Sequence, residues 1–516
     1  MSQTRSFERW WSTIGIVLLV VGMAGIPRQF LSPIDVYDEG LLLTHADSLA
    51  HGAVPYRDFY ANYPPGVLLL VAGVWKLTGS SVIGVRVLGL IVQALIAWFV
   101  GRFAARATHG PNAGTNQLRF SWLACGATFL WLRHGPIWPT AWLAGLLCAL
   151  ISFDLALRAR DSSMRWFVVG ASFGLVACMR HDLFVYASVL FALVLVAARI
   201  AKVPLAYPPR AAIVSLVVGA SLPIVLVFGW ILAKADWRQP YLDLYRDQVD
   251  SMLPGRVLPL PGLWKFDRLA VGVWIGIVAP IVWLAQLWRG RRSLALNALG
   301  LLAVAGLPQM LNRTDTHHVV YGLAPGLGVL AIAAQDSLER VRSFSLRIAA
   351  SLALFVLLAG GLLGVRLRTG REWVPFSVAR AQGTPARTKE LALARERVVA
   401  FVAEHSRATD PIFVGCEQHA RVFISEMDLY YLCDRRGGVR RMQFDPNLTN
   451  RVDEQEKMIA EMDARHVNVV VLAPYLDPRE PNDSRKRDSE LFDRWLGEHF
   501  EVVERAGPYQ LLLRRR

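Results

Sequence analysis

Ala211 to Lys234 reads AAIVSLVVGASLPIVLVFGWILAK, with no charged side chain before the closing lysine. About 20 apolar residues suffice for a helix to cross the hydrocarbon core of a bilayer, so this run is long enough to span. No water is available there to satisfy backbone amides, and a helix is the form that satisfies them internally. Outward from it, comparable runs occupy 82–106, 119–133, 137–158, 165–180, 182–200, 270–289, 294–311, 318–334 and 344–366, with a first between Trp10 and Ile26. They make about eleven expected transmembrane helices. Composition agrees: 54% of the 516 residues are hydrophobic and 19% are charged, below the roughly 25% of soluble domains.

A net charge of +15 raises the question of nucleic acid. The basic residues answer it by where they fall. Arg5 and Arg9 precede Trp10-Trp11, and no small-x-small cleavage site follows, so the first helix is expected to be retained with a cytoplasmic N-terminus. Alternating sides from there puts Arg102, Arg106 and Arg119 inside, and likewise Arg158, Arg160 and Arg165. Arg199, Lys202 and Arg210 follow, then Arg289, Arg291 and Arg292, then Arg340, Arg342 and Arg347. That is the positive-inside pattern. Topology therefore accounts for the charge, and no nucleic-acid-binding motif is present.

The same alternation gathers four outer elements: the first loop 27–66, the turn Arg180-His181-Asp182, the loop Asp236 to Arg268, and the turn Asn312 to His318, with Arg133-His134 beside them. Arg180 and Arg313 break the charge rule that the rest of the chain obeys, which marks them as functional candidates. The first loop carries Asp35-Val-Tyr37-Asp38-Glu39-Gly40, then Pro55-Tyr56-Arg57-Asp58-Phe59-Tyr60, then Tyr63-Pro64-Pro65-Gly66. Between them, Leu42, Leu43, Ala46 and Leu49 make a helical stripe expected to lie in the membrane interface. Val67 to Leu77 is too short to span and suits a re-entrant or juxtamembrane helix.

Composition changes after Gly364, and the chain divides into a membrane domain, 1–370, and a soluble α/β domain, 371–516, on the outer side. In the latter, 412–415 and 467–473 read as buried strands, and Gly507-Pro508 as the turn of a terminal hairpin; 389–405, 453–465 and 489–499 read as helices. No glycine-rich phosphate loop, metal-ligand cluster or Gly-x-Ser-x-Gly is present. Cys125, Cys148 and Cys178 sit in apolar runs as small core residues; Cys416 and Cys433 could pair, which sequence alone does not decide.

Asp38-Glu39 is the strongest chemical candidate. A carboxylate beside a bilayer can take the proton from an acceptor hydroxyl as it attacks a sugar carbon, and a phosphate leaving group needs no general acid. A solvated acidic loop with Asp38 capping the following helix fits these residues equally well. Arg313, with Asp315 to hold it and His318 as a second donor, can grip phosphate oxygens; the alternative is a polar turn closed by a salt bridge. Arg180 with Asp182 repeats that chemistry, or is an interfacial Arg. Arg86, near the outer end of its span, must find a partner and is a further phosphate candidate. Tyr56, Arg57 and Asp58 mix aromatic and charged groups, as sugar sites do, or fasten the loop to the membrane. The aromatic loop Trp237 to Trp264, with Pro254, Pro259 and Pro261, could cover a lipid-sugar pocket; Asp154 reads as interfacial.

Tyr37-Asp38-Glu39-Gly40, followed by Pro55-Tyr56-Arg57-Asp58-Phe59 and Pro64-Pro65-Gly66, resembles the first outer loop of bacterial GT-C glycosyltransferases. These are membrane enzymes related to protein O-mannosyltransferases and to the aminoarabinose transferase of lipid A. Arg313-Thr-Asp315-Thr-His-His318 is similar to their Arg-x-Asp-x-x-His turn, and Met179-Arg180-His181-Asp182 to their Arg-x-Asp turn. The resemblance implies a GT-C fold in a bacterial inner membrane with the α/β domain periplasmic. It implies inverting transfer of a hexosyl or pentosyl group from a polyprenyl-phosphate donor to a hydroxyl of an envelope glycan, lipid or protein, without metal or other cofactor. Asp38 would be the base, Glu39 its neighbour, and Arg313 and His318 would hold the donor phosphate. His181 and His317 depart from the pattern. The competing reading is a transporter or flippase of lipid-linked sugars, which would place its charges near the bilayer midplane and often shows internal repeats.

Overall fold

The computed structural model describes residues 2–109, 120–159, 162–200, 210–253, 257–262, 264, 267–291, 293–339, 373–420, 425–445, 447–474 and 489–516. The expected span 344–366 lies outside the described residues, as do Arg119, Arg160, Lys202, Pro254, Arg292, Arg340, Arg342 and Arg347.

The chain begins with α1 (Ser2–Ala24), α2 (Ile26–Phe30), α3 (Asp38–Ala50), α4 (Gly66–Thr78), α5 (Val82–His109) and α6 (Trp122–Leu132). It continues through α7 (Ala141–Ala159), α8 (Ser163–Met179), α9 (His181–Ile200) and α10 (Arg210–Leu232). Then α11 (Arg238–Tyr241) runs into π-helical turns at Leu242–Arg246 and Gln248–Met252, before α12 (Arg268–Trp288), α13 (Leu294–Asn312) and α14 (Thr316–Glu339). The C-terminal part holds α15 (Lys389–His405), β1 (Ile412–Cys416), α16 (Asp428–Leu432), α17 (Val452–Ala464), β2 (Val469–Ala473), α18 (Leu491–His499), β3 (Phe500–Ala506) and β4 (Tyr509–Arg514).

Among the described residues, seven helices are long and apolar enough to cross a membrane: Trp10–Phe30, Val82–Thr108, Ala141–Ala159, Ala212–Leu232, Arg268–Trp288, Leu294–Asn312 and Thr316–Ser337. The chain is thus mostly helical and compatible with a polytopic membrane protein. Three expected spans form shorter apolar helices, Trp122–Leu132, Ser163–Met179 and His181–Leu193. Gly66–Thr78 is a short helix, as its length dictates.

Contacts divide the chain into two compact units. The first comprises Met1–Pro27, Val87–Val227 and Pro259–Arg368, and is helical. Its helices approach closely where side chains are absent: a Cβ on Gly126 of α6 would fall 1.9 Å from the Gly15 carbonyl oxygen of α1. Small residues at such crossings let two backbones touch when no hydrophobic effect drives helices together. Asp154 on α7 does more than sit at an interface: it pairs with Arg102 (3.0 Å) and Arg106 of α5 and with Arg158 of its own helix.

The second unit comprises Arg28–Arg86, Phe228–Leu258 and Thr369–Arg516. Its four-stranded sheet has the order β1-β2-β4-β3. β1 and β2 are parallel, and β4 runs antiparallel to β2 and β3. Every residue of β1 and β2 is buried, as expected of strands covered on both faces. Gly507 turns the β3–β4 hairpin with φ of 56°. Cys416 and Cys433 are both buried free thiols, so they do not pair. The segments expected for α15, α17, α18 and the strands are therefore formed, but this unit also takes in the first loop and 228–258. The stripe Leu42, Leu43, Ala46 and Leu49 is buried in this unit rather than facing lipid, because α3 packs on α4 and α16.

Candidate active site in the first loop

Asp35 starts the site. Its carboxylate Oδ1 accepts from the backbone N–H of Asp38 (2.7 Å) and of Tyr37 (3.2 Å), closing an Asx turn that launches α3. In return the Asp35 N–H donates to Glu39 Oε2 (3.1 Å). This reciprocal exchange satisfies donors that a helix start leaves open, as a capping box does. The N-cap position is Tyr37, and the carboxylate that closes the helix start is that of Asp35 two residues earlier, not Asp38. Asp38 occupies the first turn of α3 with an exposed side chain, where the helix dipole favours negative charge.

Glu39 points the other way. It is 0% exposed, and Arg86 grips it through Nε–Oε1 (2.7 Å) and Nη2–Oε2 (2.8 Å). Arg86 also donates to the carbonyls of Phe30, Ser32 (2.8 Å) and Pro33 (3.4 Å). Its five N–H donors therefore meet five acceptors, which is all a guanidinium has. Arg86, expected beside a donor phosphate, instead ties the loop entrance to α3. Burial raises the Glu39 carboxyl against the opposing pull of Arg86.

The same unit braces α3 further along. Gly40 meets α16 backbone to backbone: a Cβ there would lie 2.5 Å from the Asp428 amide nitrogen. That amide donates to the Val36 carbonyl (3.2 Å), and the Thr44 hydroxyl donates to the Met427 carbonyl (2.7 Å). Asp428 in turn accepts from Arg395 (2.6 Å), which also reaches Glu426 (3.2 Å). Burial pushes the Asp428 carboxyl up to about 7 against the pull of Arg395, with Glu426 adding to the rise. Arg380 pairs with Asp47 and lies 4.2 Å over the Tyr431 ring. His45 is buried and stacks on Phe59 with centroids 4.4 Å apart; burial depresses its imidazole to about 3.

Tyr56 is buried in the left-handed region, φ 68°, uncommon for a bulky residue. Its hydroxyl donates to the Tyr63 carbonyl (3.0 Å), and its carbonyl accepts from Arg440 (3.2 Å), whose guanidinium also pairs with Asp243 (2.7 Å). Arg57 and Asp58 face each other in a bidentate pair, both contacts 2.8 Å, and Asp58 also accepts from the Val54 N–H (2.7 Å). Tyr56, Arg57 and Asp58 thus fasten the loop to its own unit.

The remaining candidates belong to the helical unit. Arg313 Nε donates to Asp315 Oδ2 (2.9 Å), and His318 Nδ1 sits 2.8 Å from Asp315 Oδ1, so this turn assembles as the spacing suggests. Burial alone would raise the Asp315 carboxyl; His318 and Arg313 outweigh it and hold the group well below the usual carboxylate range. Arg180 grips Asp182 bidentately (2.6 and 2.9 Å) and reaches Gln309 Oε1 (3.0 Å). Asp315 and Asp182 therefore orient their arginines as expected.

Sequence reasoning missed Asp35, His45 and the seat of Gly40. A glycine inside a helical stretch costs up to about 1 kcal/mol relative to alanine, so Gly40 carried a signal that something approaches there. His45 carried none, since a histidine in an apolar stripe reads the same whether solvated or buried.

Fold and site together define a helical chain compatible with membrane embedding, carrying one exposed carboxylate on a braced helix start. No protein-family model matches the chain, and no curated protein matches it.

Proposed function

We propose that this protein is an integral membrane glycosyltransferase that moves a sugar from a polyprenyl-phosphate donor to an acceptor hydroxyl of an envelope glycan, lipid or protein. The observation that carries the reading is the contrast between two adjacent carboxylates: Glu39 is consumed by Arg86, while Asp38 stands exposed on the helix start which that pair fixes. A base must be held still to be effective, and a neighbour locked at 0% exposure holds it. In the step, Asp38 takes the hydroxyl proton as the acceptor oxygen forms its bond to the anomeric carbon from the face opposite the phosphate. The sugar–phosphate C–O bond breaks, the phosphate leaves with the electron pair, and the configuration inverts. Arg313 with His318, and Arg180, are the groups suited to the donor phosphate. Glu39 and Arg86 position Asp38 rather than touch substrate. The chain would work in a bacterial inner membrane, its C-terminal domain on the envelope side.

The test is mass spectrometry of envelope glycans from a deletion strain complemented with wild type or Asp38→Asn, with membrane insertion verified. A sugar restored by wild type and missing with Asp38→Asn supports the transferase, and its mass names the sugar. Full restoration by Asp38→Asn refutes the assignment and favours a flippase of lipid-linked sugars.

A further inference from the structure

The segment after α10, the first part of the aromatic loop expected to cover a lipid-sugar pocket, presents an exposed apolar row of its own. Trp237, Tyr241, Tyr245, Val249 and Leu253 recur at every fourth position and are each between 42% and 64% exposed. In an α-helix, steps of four overshoot a full turn, so such a row would wind around the helix. Here the segment passes from α11 into π-helical turns, whose wider winding makes steps of four fall short. The first step overshoots within α11 and the later three fall short in the π-helical turns, so the drift reverses after Tyr241 and the row stays within one side.

The opposite side is anchored in protein. Pro240, Asp243 and Leu244 are buried. Asp243 pairs with Arg440, Asp247 pairs with Arg441 (2.7 Å), and Gln248 donates to the Tyr60 hydroxyl (3.0 Å). The apolar row is thus the outward side of a firmly seated segment, not a frayed loop.

We infer that this row rests in the membrane surface, with its aromatic rings at the level of the lipid headgroups. Chain continuity carries the choice of a lipid surface over a protein partner. Of the seven membrane-length helices, α10 has the smallest buried share, 11%, so lipid is what would cover its sides. Trp237 follows its last residue, Leu232, by five positions, at most about 18 Å of extended chain. The row therefore cannot start far from where α10 leaves the bilayer. Trp and Tyr favour that boundary, where an apolar ring meets water at one end. Among the described residues, the exposed charges beside the row are Lys234, Arg238 and Arg246 against Asp236 and Asp250, since Asp243 and Asp247 are matched by arginines. That small basic excess suits anionic headgroups. The inference rests on membrane embedding and stands whether or not the chain transfers sugars.

The experiment reconstitutes the full chain in nanodiscs of phosphatidylcholine and phosphatidylglycerol and places nitroxide labels singly at Tyr241→Cys, Tyr245→Cys and Val249→Cys, native cysteines replaced. Collision rates with oxygen and with a nickel chelate then report lipid and water. The expected result is an oxygen-to-nickel ratio several-fold above that of a label at Val502→Cys, an exposed position on β3. A ratio equal to that at Val502 overturns the inference, and so does protection from both reagents, which would mean that a protein covers the row. Wild-type protein in nanodiscs doped with a diazirine lipid gives a second test free of substitutions. Adducts on peptides covering 237–253 as well as on α10 are expected; adducts on α10 alone overturn it.

Discussion

Replacing Gly40 by alanine is the sharpest probe of how the acidic loop is held. The added methyl would lie 2.5 Å from the Asp428 nitrogen, 2.9 Å from its Cβ and 3.0 Å from its Cα, and two of these three atoms are backbone. No flexible side-chain end can yield, so α3 and α16 must separate. Overpacking of this kind costs about 1–3 kcal/mol. Separation also strains the Asp428-to-Val36 and Thr44-to-Met427 hydrogen bonds, each worth about 1 kcal/mol. Against this, alanine gains up to about 1 kcal/mol over glycine within a helix. The expected net loss is about 1–3 kcal/mol. Gly73 on α4 supplies the control, because a Cβ there meets nothing within 4 Å and the helix gain is uncompensated. Amide hydrogen exchange in nanodiscs should therefore show faster opening of 38–50 and 425–433 in Gly40→Ala, by about tenfold to a hundredfold at 1.4 kcal/mol per decade. Gly73→Ala should exchange as slowly as wild type or more slowly. If both variants left 38–50 equally protected, the contact between α3 and α16 would not be what holds the loop.

Two further outcomes follow from the buried groups. Glu39→Gln leaves the Arg86 charge unmatched and should cost about 3–5 kcal/mol; Arg86→Lys offers three donors to five acceptors and should not preserve stability despite keeping the charge. Wild-type thermal melting of either variant in detergent would contradict the bracing role. His45 makes the loop acid-sensitive, because its folded value near 3 lies below the unfolded value of about 6.5. Its contribution is complete above that unfolded value and is lost as the pH falls toward the folded one, since the unfolded chain then binds the extra proton. At pH 5 the loss from His45 alone is about 2 kcal/mol, equivalent to roughly thirtyfold in the protection of α3 amides after correction for intrinsic exchange. Asp428, whose carboxyl burial lifts to about 7, takes up its proton in the same window and acts in the opposite sense, so the variants must be compared. On going from pH 7.5 to pH 5, His45→Phe should gain roughly thirtyfold in α3 protection relative to wild type, and an identical pH dependence in both would show that His45 does not carry the acid loss.

The seven long apolar helices were legible because length and composition decide them locally; Ala212–Leu232 needs no knowledge of its neighbours to be read. The α/β domain was legible for the same reason, its strands being short, β-branched and bounded by turns. The placement of the first loop was not. Leu42, Leu43, Ala46 and Leu49 form one stripe whether it faces lipid or protein, and periodicity does not distinguish two apolar surroundings. Arg86 showed that it needed a partner, but Glu39 lies 47 positions away, and nothing local selects it over another carboxylate. Thr44 and Met427 are separated by 383 positions. Asp315 with His318 and Arg180 with Asp182 were legible because their geometry is set within one turn of chain.

The C-terminal domain supplies the backbone contacts that seat α3. It has no phosphate loop in its sequence and, among the described residues, no metal-ligand cluster. It does hold a buried charge group, Arg395 with Glu426 and Asp428, behind the backbone on which Gly40 lands. Burying charge this way is weak evidence for stability, since apolar residues of similar volume often do as well. What it does is join α15 to the start of α16: one nitrogen of Arg395 on α15 reaches both Glu426 and Asp428, the residue against which Gly40 packs. Arg380 to Asp47 and Arg440 to the Tyr56 carbonyl repeat the device at two later points of the loop. A loop that served only as a solvated acidic tether would gain nothing from three such anchors. A loop that must present one carboxylate to a reacting hydroxyl would, because an error of about 1 Å at the reacting atoms costs about a hundredfold in rate. The anchoring around α3 is what the proposed role of Asp38 requires, a carboxylate carried on a helix start that is held from several sides.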